Sequence, residues 1–370
     1  MKLVVFGLTV SSSWGNGHAT LWRGLIAGLA RRGVRVVFFE RDTPYYADTR
    51  DLHALSDAEL VLYRDWREVR ARARRELADA DAAMITSYCP DAEPASALMA
   101  HAFGGVSSFY DMDTPVTLAR LQAGEAVDYL PSGGLAQFDL VLSYTGGAAL
   151  TALRERLGAR RALPLYGHVD PAVHAPRAPD PRFACDLSYI GTYAADRQPV
   201  VEALFVDPAR RLCDRKFVLA GSGYPADFPW TDNIWFVRHL PPAEHPAFYA
   251  SSRLTVNATR ADMAAIGLCP SGRLFEAAAC GCPVLSDRWE GLEAFFAPGE
   301  EILTAATPEE AVAALSLSDR ELRRIAEAAR ARTLAEHTAD HRAGELIDRL
   351  QAAYDGEAAA EPRPGLLARP

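Results

Sequence analysis

Short apolar runs rich in Val, Ile, Leu and Phe recur along this chain. Each is closed by a glycine or polar turn and followed by an amphipathic stretch. Runs that are hydrophobic on both faces mark the central strands of a parallel sheet, and the stretches between them are its crossover helices. Leu3–Val10 is the first such run. A Gly/Ser loop, Ser11 to Gly17, leads into a helical pattern with Leu21, Trp22, Leu25, Ile26, Leu29 and Ala30 on one face, stopped by Gly33. Val34–Phe39 is the next strand and ends in Glu40-Arg41-Asp42. After a charged helical segment, Arg64 to Ala80, strands are expected at Ala82–Thr86, Val106–Tyr110 and Leu140–Tyr144.

The rhythm breaks once, where prolines stand at 164, 171, 176, 179 and 181. It then restarts with strands at Asp186–Ile190, Phe217–Ala220, Ile234–Val237, Leu254–Ala258 and Val284–Ser286 and a helix at Gly272–Cys280. The expected fold class is α/β with two Rossmann-like, doubly wound domains, and 370 residues suit two such cores better than one. The boundaries are placed at residues 1–168 and 169–355, the second domain carrying the C-terminal helices, with a disordered Ala/Glu/Pro-rich tail at 356–370.

A formal net charge of −9 argues against a general nucleic-acid binder. No apolar run approaches the ~18 residues of a membrane span. The cysteines at 89, 185, 213, 269, 280 and 282 form no C-x-x-C pair and no zinc spacing. They read as reduced thiols of a cytoplasmic protein, with Cys280-Gly281-Cys282 as packing residues at a helix end.

The segment with most chemical content is Pro270-Ser271-Gly272-Arg273-Leu274-Phe275-Glu276. Ser271 suits an N-cap, and Gly272 lets an anion approach amides at a helix start. Glu276, a turn further in, can accept both hydroxyls of a ribose. Gly191-Thr192, closing a strand, with Arg197 nearby, suits a diphosphate. Arg260 and Arg273 are further cations to neutralise a departing diphosphate. In the first half, Gly15-Asn16-Gly17-His18 lies between strand and helix, where open α/β sheets bind ligands. His18 is a candidate general base, with Asp111 or Asp113 to orient its ring. Asp42 and Glu40 are candidates for acceptor hydroxyls, or for pairing with Arg41. One rival reading uses the same residues: Gly15-x-Gly17-x-x-Thr20 with Glu40 downstream imitates the dinucleotide fingerprint of a dehydrogenase. Thr20 in place of the third glycine, and the extra residues Ser11 to Trp14, count against it.

The Ser271 segment resembles the donor-site helix of GT-B glycosyltransferases. From about residue 1 to 305 the chain is similar to the CgeB-like (spore maturation protein) group. That likeness rests on Trp14-Gly15-Asn16-Gly17-His18-Ala19, Glu40-Arg41-Asp42, Phe109-Tyr110-Asp111-Met112-Asp113-Thr114-Pro115, Tyr189-Ile190-Gly191-Thr192-Tyr193, Asp196-Arg197-Gln198-Pro199 and Gly291-Leu292-Glu293-Ala294-Phe295-Phe296-Ala297-Pro298-Gly299. The resemblance implies a metal-independent hexosyltransferase moving sugar from a nucleotide-diphosphate sugar to an acceptor hydroxyl. No further cofactor is implied, and Glu276 would lie on the donor ribose. It also implies an acceptor-binding first half, a donor-binding second half and closure of a cleft between them. Asp111-Met112-Asp113 spells D-x-D, but it falls in the half that binds acceptor, so no metal is expected there. Retaining members have a second Glu eight positions before the ribose residue. Here that position is Leu268, with Asp262 as a possible substitute, which leaves the stereochemistry open. A sugar-nucleotide epimerase of the same fold and a non-catalytic sugar-nucleotide-binding module are the alternatives.

Overall fold

The computed structural model describes residues 1–356, so the tail expected to be disordered lies, beyond Gly356, outside the described residues. The chain forms two compact units, Met1–Tyr166 together with the chain from Ala339, and Gly167–Thr338. Each is built on one parallel sheet.

The first sheet contains β1 (Lys2–Gly7), β2 (Arg35–Arg41), β3 (Ala58–Tyr63), β4 (Ala82–Thr86), β5 (Val106–Asp111), β6 (Leu140–Ser143) and β7 (Ala162–Pro164). Their spatial order is β3-β2-β1-β4-β5-β6-β7, all parallel. Leu3, Val4, Val5 and Phe6 of β1 are wholly buried, as a central strand covered on both faces requires. β1 stops at Gly7, short of the expected Val10. The reason is Glu40 at the end of β2, which is 0% exposed. Its carboxylate accepts hydrogen bonds from Thr9 Oγ1 (2.9 Å), Val10 N (2.7 Å), Ser11 N (3.0 Å) and Ser11 Oγ (2.5 Å), pulling the chain out of the sheet into a loop. The helix His18–Arg31 follows, with Gly33 at φ +74° just past its end, the left-handed position that glycine fills without a Cβ penalty.

The second sheet holds β8 (Leu187–Ile190), β9 (Phe217–Gly221), β10 (Ile234–Arg238), β11 (Thr255–Asn257), β12 (Val284–Ser286) and β13 (Leu303–Thr304). The order is β10-β9-β8-β11-β12-β13, again all parallel. The fold class is thus α/β with two Rossmann-like sheets, as expected. Three strands escape the sequence reading. All three lie at sheet edges: β3 is half-solvated, and β7 and β13 are only three and two residues long, too short to show a period.

The expected domain limits need one correction. The last helix, Ala339–Tyr354, does not belong with the second sheet but packs in the first unit against His18–Arg31. A methyl group on Gly28 would stand 2.8 Å from the Ala339 carbonyl oxygen, so glycine permits the approach. Arg31 pairs with Asp340 at 2.9 Å, and Arg342 donates to the Tyr166 carbonyl at 3.2 Å. Leu346 and Leu350 supply its buried face. All six cysteines are free thiols, and Cys280 and Cys282 are buried at the end of the helix Gly272–Ala279. No helix among the described residues is long and apolar enough to cross a membrane.

Candidate functional site

In the first unit β1 lies between β2 and β4, so the chain leaves β1 on one side and returns on the other. Loops at the carboxyl ends of such a strand pair diverge and leave a crevice, the usual ligand position of a doubly wound sheet. His18, the first residue of its helix, sits there. Its Nε2 is 2.8 Å from Asp113 Oδ2, and Ser87, just after β4, donates its hydroxyl to the same oxygen at 2.8 Å. Ser87 Oγ also accepts the Met112 amide at 3.0 Å, which locks the turn after β5. A carboxylate oxygen accepts, so His18 Nε2 carries the proton in this pair. In the neutral ring Nδ1 is then a bare lone pair, and it is buried with no hydrogen-bond partner. This is the arrangement of an oriented base. Beside it Tyr88 meets the His18 ring edge-on at 6.1 Å and holds a left-handed backbone, φ +58°. Left-handed non-glycine residues are uncommon and cluster where a site holds strain.

Of the two aspartates offered by the sequence, Asp113 orients the ring. Asp111 has a different place. It is 0% exposed, and one of its oxygens accepts the Asp113 amide at 3.0 Å. Burial, with the neighbouring Asp113 charge, raises its pKa to about 7. The glycine-loop residues are mostly scaffold in this arrangement. Asn16 donates to the Ser12 and Trp14 carbonyls and accepts the Ala19 amide at 3.2 Å. Gly15 adopts φ +67°, while a methyl on Gly17 would meet nothing within 4 Å. Asp42 pairs with Arg50 at 2.6 Å, and Arg41 pairs with Asp91 at 3.4 Å. Glu40, spent on its own loop, is not available for a ribose, so the dinucleotide-fingerprint reading loses its acidic residue.

The second unit repeats the geometry with different chemistry. β8 lies between β9 and β11, and its end carries Gly191-Thr192. A methyl on Gly221 would come 2.0 Å from the Gly191 carbonyl oxygen, so the turns after β8 and β9 touch backbone to backbone. Two guanidinium groups converge here. Arg197 donates to the Thr192 carbonyl at 3.2 Å and the Tyr189 hydroxyl at 3.3 Å, and its Nε is buried without a partner. Arg273 donates to Asn257 at 3.2 Å and lies over the Tyr189 ring, 5.4 Å from its centroid. Arg260, in contrast, is paired with Asp196 at 3.1 Å. Ser271 stands at the N-cap of Gly272–Ala279, but its side chain does not bond the helix amides. The first-turn N–H groups of a helix have no intrahelical acceptor and attract anions.

Glu276 lies on the same face of that helix as Arg273, three residues on. It is 17% exposed, and His245 Nδ1 stands 3.7 Å from its Oε2. Burial pushes its carboxyl upward, but the His174 and His245 imidazoles and Arg273 together outweigh burial and bring the pKa to about 2. His174 itself is shifted downward by burial, against the pull of Glu276. Neither histidine, nor Asn257, carries a sequence signal, and Tyr189 enters only as the first residue of the Tyr189–Tyr193 motif. The histidines and Asn257 reach the site from a loop, a helix start and a strand, and no fixed spacing announces them. Leu268 holds φ +44°, and Asp262 is exposed on the short helix Ala261–Ile266.

Residues 197–348 match the family described as glycosyl transferase-like, a segment covering most of the second unit and part of the last helix. A comparison with the curated proteins finds no match. Among solved structures the chain is similar to sucrose-phosphate synthase from Thermosynechococcus elongatus (TM-score 0.65, 15% identity, 95% of this chain and 100% of that one). Anabaena HepE in complex with UDP and glucose gives TM-score 0.64 and 14% identity over 95% of this chain and 100% of the other. A Listeria monocytogenes protein described as a UDP-N-acetylglucosamine 2-epimerase gives 0.57 and 13% over 97% and 98%. The class is thereby defined at the level of fold: a protein of GT-B fold whose residues 197–348 match a family described as glycosyl transferase-like.

Proposed function

We propose that this protein moves a hexosyl group from a nucleotide-diphosphate sugar to an acceptor hydroxyl, without a metal ion, in the manner of the CgeB-like group and in the cytoplasm. The observation that carries the reading is the meeting of Arg197 and Arg273 around Tyr189 with the start of the helix Gly272–Ala279 and Glu276 one turn along it. Two fixed cations and a helix start suit the diphosphate, and a carboxylate suits the ribose hydroxyls. HepE, of like fold, holds UDP and glucose.

In the transfer, His18 Nδ1 takes the acceptor hydroxyl proton while Asp113 steadies the charge arising on the ring. The acceptor oxygen bonds the anomeric carbon, whose bond to the phosphate oxygen breaks with its electron pair. The nucleoside diphosphate leaves with added negative charge, which Arg197, Arg273 and the helix amides offset. Arg260, Ser271 and the Gly191-Thr192 turn complete the donor cradle, and Gly15, Asn16, Gly17 and Asp42 shape the acceptor side.

Incubation with a panel of UDP-, GDP- and ADP-sugars tests this. Slow release of nucleoside diphosphate from one donor class is expected, and His18→Ala should suppress release while donor binding persists. Appearance of an epimerised sugar nucleotide would favour the epimerase instead, and tight binding without turnover would reduce the protein to a binding module.

A further inference from the structure

His174, His245 and Glu276 come from three separate elements of the second unit. One ligating atom of each lies within 4.8 Å of the others. His245 Nε2 is 3.2 Å from the Leu240 carbonyl, which can only accept, so Nε2 carries the ring proton. In the neutral imidazole Nδ1 is therefore a bare lone pair, and it faces Glu276 Oε2 at 3.7 Å. At that distance a proton on Nδ1 would make no hydrogen bond either. His174 is 2% exposed, and its Nε2 is buried with no partner. The Tyr249 hydroxyl, 0% exposed and near the Glu276 charge, is also without one. Buried polar atoms without partners, gathered around a carboxylate, leave a place for a cation among them.

We propose that His174 Nε2, His245 Nδ1 and the Glu276 carboxylate bind a divalent transition-metal ion, zinc by ligand type. The site shares Glu276 with the nucleotide donor, a second half of the proposal that rests on the function given above. Two imidazoles with one carboxylate suit zinc and disfavour magnesium and calcium, which take oxygen. Ligand atoms of one zinc with bonds of about 2.0–2.1 Å stand about 3.3 Å apart, so the cluster needs only a small contraction. The bond from His245 to the Leu240 carbonyl is the outer contact that commonly fixes a metal-binding imidazole. Three protein ligands leave a fourth position open, and Glu276 keeps contact with solvent. Metal there would occupy the oxygens that the ribose hydroxyls need, so zinc acts as an inhibitor of a reaction that itself requires no metal.

Zinc titration by calorimetry on chelator-treated full-length protein tests the site. One zinc per chain is expected, with affinity falling about a hundredfold or more in His174→Ala and in His245→Ala. Glu276→Gln, which keeps the side-chain shape, should weaken it as well. Cobalt substitution should give a tetrahedral spectrum without a thiolate charge-transfer band. Unchanged zinc affinity in folded variants, or a thiolate band assigning the metal to cysteines, overturns the site. UDP should weaken zinc binding in competition. Zinc binding indifferent to UDP overturns the sharing alone, while nucleotide release, measured without added metal, judges the transferase reading separately.

Discussion

The crevices of the two sheets occupy the same topological place and hold opposite chemistry. In the first unit the loops beside β1 and β4 bring carboxylates and hydroxyls together: Asp113 and Ser87 on His18, Asp111 beneath, Glu40 binding the preceding loop. In the second, the loops beside β8 and β11 bring guanidinium groups and a helix start. One crevice holds an imidazole in a single orientation, and the other gathers fixed positive charge. The sheet supplies a position, and the loop residues supply the chemistry.

That contrast can be broken by substitution. The largest effect is expected from His18→Ala, which should lower kcat by about 10²–10⁴ with donor KM nearly unchanged, as loss of a general base does. Equal damage to donor binding would erase the division of labour. Next is Glu40→Ala. It strands the Val10 and Ser11 amides and two hydroxyls in a buried place, at a cost on the order of 3 kcal/mol, read as a lower midpoint in urea. Glu276→Ala removes the carboxylate proposed to accept the ribose hydroxyls and should weaken donor binding about 10–100-fold in a nucleotide titration, leaving the fold intact. The mildest change is Asp111→Asn, read as stability against pH. Asp111 keeps its proton in the folded chain up to about pH 7, against an ordinary value of 3.8 when unfolded. Folding therefore takes up a proton between those values. Its contribution is complete below the unfolded pKa and is lost as pH rises through the folded one. The Asn variant should show a flatter stability profile across that window, and an unaltered slope would assign the proton elsewhere.

Much of the scaffold was legible in the sequence. β1, β2, β4, β5 and β6, and most of the second sheet, announce themselves because strands covered on both faces must be apolar on both. The helix at Gly272 was marked by Ser271 before it and Gly281 after it. The edge strands β3, β7 and β13 were not legible, being half-solvated or only two or three residues long, whereas the edge strand β10 was, through its apolar run Ile234–Val237. Asp111 and Asp113 were indistinguishable by type and spacing. Only the fold buries one and turns the other to His18.

The sequence by itself determined two βαβ rhythms, their proline-dense junction, and which helix starts could meet an anion. These follow from local periodicity and capping. The tertiary structure alone decided that the last helix docks on His18–Arg31, that Glu40 serves its own loop, and that His174 and His245 meet Glu276. An amphipathic or polar residue states that it needs a partner, but the partner is chosen by contacts between segments far apart in the chain, which no local pattern encodes.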